Sequence, residues 1–401
     1  MGLNDTVSAE RVHIGFFGKR NAGKSSVVNA VTGQELAVVS SVRGTTTDPV
    51  KKAMELLPIG PVVIIDTPGI DDEGTLGELR VKKTKQVLAK TDIAVLVVDG
   101  TNGPDETDNE LIKLFEERKI PHITVFNKSD LLGNIPDAEE NKIYVSAVNG
   151  TNINELKNKI GALAKGVENK KQLVADLLED GDVVVLVVPI DESAPKGRLI
   201  LPQQQTIRDI LDAHCTVVCC QDTELLSTLS VLAKKPKLII TDSQAFGRVS
   251  NDTPDDIMLT SFSILFARYK GDLEALVSGA AKLGRLKDGD KVLISEGCTH
   301  HRQCNDIGTV KMPGWIKAFS RTEPEFHFTS GGDFPENLSD YALIVHCGGC
   351  MLNEKEMQRR IAEAQASGVP IVNYGIAIAQ MHSILKRSVE PFPEILKILD
   401  K

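Results

Sequence analysis

The stretch that most constrains this fold is Gly18-Lys19-Arg20-Asn21-Ala22-Gly23-Lys24-Ser25. It follows an apolar run at 12–17 and leads into a helix-like segment at 26–31. A strand, a GxxxxGKS loop and a helix in that order make a phosphate cradle, with backbone N–H groups and the positive end of the helix facing phosphate oxygens. The pattern predicts an α/β chain whose loop sits at a strand's carboxyl end. Gly18, Asn21, Ala22, Gly23, Lys24, Ser25 and Ser26 are the expected cradle residues. Lys24 would reach the β and γ phosphates, and the Ser25 hydroxyl would bind Mg²⁺.

More pieces follow in the order that a GTP site needs. Gly44-Thr45-Thr46-Thr47 offers hydroxyls for a switch loop, with Thr46 expected on Mg²⁺. The run 62–65 ends in Asp66-Thr67-Pro68-Gly69. Asp66 would hold Mg²⁺ through water, and the Gly69 N–H would meet the γ-phosphate. Lys24, Thr46 and Gly69 are therefore the expected catalytic groups. Runs 93–98 and 123–126 read as buried strands, the second ending in Asn127-Lys128-Ser129-Asp130. The Asp130 carboxylate suits the two donors on the guanine edge, a pattern that adenine lacks. Ser146-Ala147, after the run 143–145, would offer backbone to the guanine oxygen. Each motif alone is weak, but five in order, each at a strand end, exceed chance.

These motifs resemble the translation-factor-related P-loop GTPases, most closely the group that includes the tRNA-modifying GTPase MnmE. Ile70 follows Gly69, where Ras-like proteins carry a water-positioning Gln. An isoleucine cannot orient water, so unaided hydrolysis is expected to be slow. Asn21 matches the asparagine that ligates K⁺ in MnmE-like GTPases. The resemblance thus implies K⁺-stimulated hydrolysis, the ion standing in for an arginine finger. A plain turn residue is the other reading of Asn21. Arg80, Lys82, Lys83 and Lys85 read as a solvated helix face or a partner contact.

Composition excludes several alternatives. At 401 residues the chain is long enough for two to four domains. A net charge of -9 argues against a nucleic-acid partner, which usually meets a basic face. Aromatics are only 4%, leaving few platforms for stacking bases. The longest apolar run, 183–190, is too short to span a bilayer, so no membrane partner is expected. Residues 1–6 fit the loose myristoylation pattern, which chance supplies often. No signal peptide pattern precedes the first strand, and a cytoplasmic location is expected.

Residues 166–171 are polar and read as a linker. Runs at 182–188, 216–220 and 238–241 read as strands, with helices at 203–213 and 224–234 between them. This second α/β unit shows no catalytic constellation, which fits a dimerisation role. Asp191 and Glu192 read as loop residues or as carboxylates for a metal elsewhere. Over 260–270, Phe262, Leu265, Phe266 and Tyr269 recur at helical spacing, as domain core or as a subunit interface. A third unit follows, with a helix at 272–283, strands at 291–295, 325–329, 341–345 and 370–373, and a helix at 354–366.

Seven cysteines are an odd number. Cys215, Cys219 and Cys220 lie in or beside an apolar run and read as buried small hydrophobes. Cys298, Cys304, Cys347 and Cys350 lie instead in polar, Gly-rich or His-rich surroundings. Cys298-Thr299-His300-His301 and His346-Cys347-Gly348-Gly349-Cys350 each follow a strand, where ligands gather in open sheets. On these residues alone three readings stay open. Zinc would want four closed ligands, and no second CxxC pair exists. A redox CxxC would leave Cys298 unexplained. An iron–sulfur cluster on Cys298, Cys347 and Cys350 uses all three thiols.

A GTPase joined to this CxH…HCxxC pattern resembles the HydF-type hydrogenase maturation GTPases over essentially the whole chain. That resemblance implies a 4Fe-4S cluster on Cys298, Cys347 and Cys350. His300 or His346 is a candidate for the fourth iron position; His301, Cys304, Asp191 and solvent are others. It also implies a scaffold and carrier for a transient di-iron precursor of the hydrogenase H-cluster. The precursor would arrive with the help of two radical-SAM maturases and pass to apo FeFe-hydrogenase, and the chain would form a homodimer through its middle domain. The expected architecture is three α/β domains: a P-loop GTPase domain at 1–168, a dimerisation domain at 169–270 and a cluster-binding domain at 271–401. The alternative is a regulatory or assembly GTPase with a structural zinc and no cluster.

Overall fold

The structure is a computed structural model. It describes residues 11–34, 50–67, 84, 87–167, 171–190, 199–297, 306–331, 333–335, 337–349 and 352–399. The chain divides into two compact units, Met1–Asn169 and Lys170–Lys401.

In the first unit the elements run β1 (Val12–Gly18), α1 (Lys24–Thr32), β2 (Val50–Leu56), β3 (Gly60–Asp66) and β4 (Ile93–Asp99). Then come α2 (Glu106–Glu117), β5 (His122–Asn127), β6 (Lys142–Tyr144) and α3 (Ile153–Val167). The sheet order is β2-β3-β1-β4-β5-β6, with β2 antiparallel to β3 and the other pairs parallel. Strand side chains alternate between faces, and the central strands feed two cores. Phe16, Val95 and Val97 pack with Val27 and Val31 of α1 and Leu156 of α3. Phe17, Leu96 and Val98 pack with Leu111 and Phe115 of α2 on the other side. Both faces are covered, so β4 and, apart from His13, β1 read as apolar runs. Asp105 and Asp108 form a reciprocal capping box that starts α2. The sequence reading did not include β2, whose Lys51, Lys52 and Glu55 are exposed on an edge strand.

The second unit carries two four-stranded sheets, all parallel. The first is built from β7 (Val183–Val187), α4 (Leu201–Asp212), β8 (Thr216–Cys220), α5 (Leu225–Val231) and β9 (Leu238–Thr241). It is completed by α6 (Phe246–Asp252), β10 (Met258–Ser261) and α7 (Phe262–Lys270), in strand order β10-β9-β7-β8. The second begins with α8 (Leu273–Ala280) and β11 (Lys291–Glu296), and continues with a π-helical turn, Ile307–Lys311, into α9 (Met312–Ser320). It ends with β12 (Glu325–Ser330), β13 (Leu343–His346), α10 (Glu354–Ala366), β14 (Ile371–Asn373) and α11 (Tyr374–Met381), in order β12-β11-β13-β14. Two short helices, α12 (Leu385–Ser388) and α13 (Pro393–Leu399), follow.

One continuous apolar core runs through both sheets of this unit. Phe262, Ile264, Leu265 and Phe266 of α7 are buried in it, and Tyr269 packs against it. The helical spacing therefore marks core, although Thr260 and Ser261 belong to β10 and not to the helix. The cysteine expectation needs correcting. Cys215 is buried, but Cys219 is exposed and Cys220 only half-buried, because β8 is the sheet's edge strand.

Candidate nucleotide and thiolate sites

The loop after β1 brings its residues together as the pattern requires. Asn21 and Gly23 both take left-handed backbone, with φ of 63° and 82°. Asn tolerates that conformation and Gly adopts it freely. A Cβ on Gly23 would collide with the Asn127 amide nitrogen, and a Cβ on Gly18 with the Val97 carbonyl. Gly23, at the N-cap, offers no side-chain cap to the first-turn N–H groups of α1. Lys24 is ion-paired with Asp66, and the Ser25 hydroxyl donates to the other Asp66 oxygen at 3.4 Å. Thus the end of β3 meets the start of α1, with Lys24, Ser25 and Asp66 at one point. Ser26 is half-buried in the same turn.

On the other flank, Asn127 ties the two loops together. Its amide donates to the Ala22 carbonyl at 3.1 Å, and its carbonyl accepts from the Ala147 N–H at 3.1 Å. Buried Ser146 donates to the exposed Asp130 carboxylate at 2.5 Å. Lys128, at φ 66°, reaches back to Asp99. Burial pushes the Asp99 carboxyl up, but the hydrogen bonds from Lys128 and Thr101 outweigh it and hold the group below the usual range. Thr46, Gly69 and Ile70 lie outside the described residues, as do Arg80, Lys82, Lys83 and Lys85.

In the second unit, the carboxyl ends of β11 and β13 lie side by side, with Ser295 opposite His346. Cys347, the next residue, is fixed at several atoms. Its N–H donates to the Ser295 carbonyl at 2.9 Å. Its sulfur accepts from the Gly297 N–H at 3.0 Å and the Gly349 N–H at 3.4 Å. Gly349 turns at φ 63°, and a Cβ on Gly297 would press on Leu352 at 2.7 Å. On the same side Tyr374 of α11 donates to Glu296 at 3.4 Å. Burial, then Cys347, Glu296 and Asp306 nearby, push the Tyr374 phenol up. Cys298, His300, His301, Cys304, Cys350, Asp191 and Glu192 lie outside the described residues.

His346 is completely buried. Its Nδ1 lies 2.7 Å from the Cys347 carbonyl, and its Nε2 lies 3.0 Å from Arg360 Nη1. A carbonyl only accepts and a guanidinium only donates, so the ring is the neutral Nδ1–H tautomer with both nitrogens engaged. In this arrangement it has no lone pair left for iron. Burial, then the Arg360 charge, bring its pKa down to about 4. Arg360 was not among the expected site residues. It lies on the face of α10 that carries Met357, Ile361 and Ala364, so an arginine within an apolar stripe was the available signal.

Three family models match. Residues 13–128 match a 50S ribosome-binding GTPase model. Residues 173–271 match the hydrogen maturase F dimerization domain, and residues 274–391 its tetramerization domain. The chain belongs to the hydrogen maturase F family. This family member also resembles GTPases of other kinds through its first unit. It is 33% identical over 156 residues to the tRNA modification GTPase MnmE of Bordetella petrii, covering 39% of this chain and 34% of the relative. It is 38% identical over 143 residues to MnmE of Legionella pneumophila, covering 35% and 32%. The chain thus spans about a third of the length of these relatives. Among solved structures, a probable GTP-binding protein engB has 26% identity and a TM-score of 0.31, covering 39% of this chain and all of that one. The maturase-family chain is thus an α/β protein with an N-terminal P-loop GTPase domain followed by parallel-sheet units. Its two remaining matched domains are of oligomerising types. Among the described residues, no helix is long and apolar enough to cross a membrane.

Proposed function

We propose that this chain is a GTP-hydrolysing scaffold and carrier in hydrogenase maturation. It would bind a 4Fe-4S cluster through Cys298, Cys347 and Cys350. It would deliver a di-iron precursor, its cargo, to apo FeFe-hydrogenase, with two radical-SAM maturases upstream. One observation carries the thiolate reading: the Cys347 sulfur accepts from both Gly297 and Gly349, the chain neighbours of Cys298 and Cys350. N–H donors facing a sulfur suit a thiolate ligand, and two glycines admit the close approach. The donor set is soft and three-fold, which fits iron–sulfur ligation. When bound, the cluster supplies an iron whose fourth position can exchange. His346 is engaged elsewhere in this arrangement, which favours solvent or another group there.

For the nucleotide, Lys24, Ser25 and Asp66 converge where the phosphates and Mg²⁺ would lie, and Thr46 and Gly69 would close the site. Asp130, steadied by Ser146, would read guanine. Asn21 would hold K⁺ beside the phosphates, and turnover would be slow and K⁺-stimulated. Hydrolysis would move the switch loops and thereby alter docking or release of partners.

The test is anaerobic reconstitution of the full chain with iron and sulfide. A brown protein with broad absorption near ~400 nm that Cys347→Ala loses is the expected result. A colourless protein carrying one zinc would replace the cluster reading with a structural site. GTP turnover in K⁺ against Na⁺ buffer tests Asn21, and equal rates would remove that role.

A further inference from the structure

Arg360 is a guanidinium with no exposure at all, in the middle of a helix whose buried face also carries Met357, Ile361, Ala364 and Glu356. Burying a charge costs several kcal/mol, and an apolar side chain of that size is usually tolerated as well or better. Its contacts show what the charge achieves. Nε donates to Glu356 at 2.9 Å, Nη2 to the Gly331 carbonyl at 2.7 Å, and Nη1 to Ser295 at 3.3 Å and to His346 Nε2 at 3.0 Å. The Phe334 ring lies beneath it at 5.0 Å. Ser295 and His346 lie at the carboxyl ends of β11 and β13, and Gly331 directly follows the end of β12. One planar fork therefore ties three strand ends together.

Glu356 does not need Arg360 as its only partner, because Arg359 bonds both of its oxygens at 2.9 and 3.0 Å. Nor is Arg360 a ligand-binding cation, since nothing of it reaches solvent. The contact that distinguishes it is His346. By donating to Nε2 it leaves the proton on Nδ1, and that N–H donates to the carbonyl of Cys347. The Cys347 N–H is already held by Ser295, which Arg360 also bonds. Both ends of the Cys347 residue are thus held by the same guanidinium, each through one intermediary.

We propose that Arg360 is a positioning residue for the thiolate site: through His346 it fixes the Cys347 backbone, so His346 serves the site by orienting Cys347 and not by binding iron. This rests on the reading of Cys347 as a cluster ligand. Partners one step out from a metal's ligands typically change metal retention by about 10- to 100-fold. His346 acts only on the route that Arg360 also controls, so with Arg360 removed the further loss of His346 adds little.

The experiment uses the full chain, reconstituted anaerobically with iron and sulfide, and measures the rate of iron release to a ferrous chelator. Arg360→Met and His346→Phe are expected to release iron about 10- to 100-fold faster than wild type, and the double variant no faster than Arg360→Met alone. His346→Asn keeps an N–H where Nδ1 stood but loses the bond to Arg360, and is expected to release iron more slowly than His346→Phe. Nitrogen couplings in the pulsed paramagnetic-resonance spectrum of the reduced protein are expected to be the same in His346→Asn and wild type. Wild-type release rates in Arg360→Met or His346→Phe would overturn the proposal. So would additive rates in the double variant, or loss of a strongly coupled nitrogen in His346→Asn. If Arg360→Met does not fold, judged by Trp315 emission, the contrast between His346→Phe and His346→Asn decides. Cys347→Ala separates the two layers: if it holds as much iron as wild type, the cluster reading itself falls, and this proposal with it.

Discussion

Position 23 must be glycine for two separate reasons. Its φ of 82° lies in the left-handed region, and the space where a Cβ would go is taken by the Asn127 amide. A non-glycine residue there carries strain on the order of 1–3 kcal/mol before any clash is counted. The same Asn127 holds Ala22 and Ala147, so displacing it loosens both loops of the nucleotide site. Gly23→Ala is therefore expected to weaken GTP binding about tenfold or more while the sheet stays folded. Titration with a fluorescent GTP analogue, with circular dichroism as the folding control, checks this. Affinity equal to wild type would show that Asn127 can move aside without consequence. Residue types and spacing singled out Gly23, Lys24, Asp66 and Asp130, because phosphate and guanine chemistry restricts which side chains serve. Arg360 was not legible in that way. Its role depends on which strand ends lie beneath its helix, and one sequence read without the fold does not say.

At the scale of elements, α10 is the scaffold of the proposed thiolate site, and its first turn sets its position. Asn353 is nearly buried and caps the helix, its side chain accepting from the Glu356 N–H at 3.2 Å. Glu356 then sits in the first turn, near the positive end of the helix dipole. Burial pushes the Glu356 carboxyl up, but Arg359 and Arg360 more than offset this and hold it below the usual range. Asn353→Ala removes the cap and is expected to destabilise the second unit by about 1 kcal/mol. The readout is the denaturant midpoint followed by the emission of Trp315, the chain's single tryptophan, on α9 of the same unit. An unchanged midpoint would mean that Glu356 and its arginines hold the helix start without the cap. The expected bounds of α10 match the observed Glu354–Ala366 because capping and apolar periodicity agree there. The polar edge strand β2 was missed because exposed lysines and glutamate hide its alternation, and Cys219 was misread for the related reason that β8 is an edge.

On the scale of the whole molecule, the chain is two compact units, and only the second contains tryptophan. A ligand that binds only the folded first unit stabilises it by about 2.7 kcal/mol at a hundredfold excess over its dissociation constant. GTP with Mg²⁺ is therefore expected to raise the thermal transition of the first unit, followed by far-ultraviolet circular dichroism. Lack of any shift at saturating nucleotide would contradict the assignment of that unit as the GTP site. The sequence by itself determined the α/β class and the order of the nucleotide motifs. These are local matters: strand runs, turn residues and side chains whose chemistry has few substitutes. Only the tertiary structure decided that both sheets of the second unit share one core, and that Gly297 meets the sulfur of Cys347 fifty residues on. It alone decided that His346 spends its nitrogens on Arg360 and a carbonyl. Those outcomes depend on which distant strands pair and on which helix covers them, and pairing across long stretches of chain is settled by packing and not by any one segment's pattern.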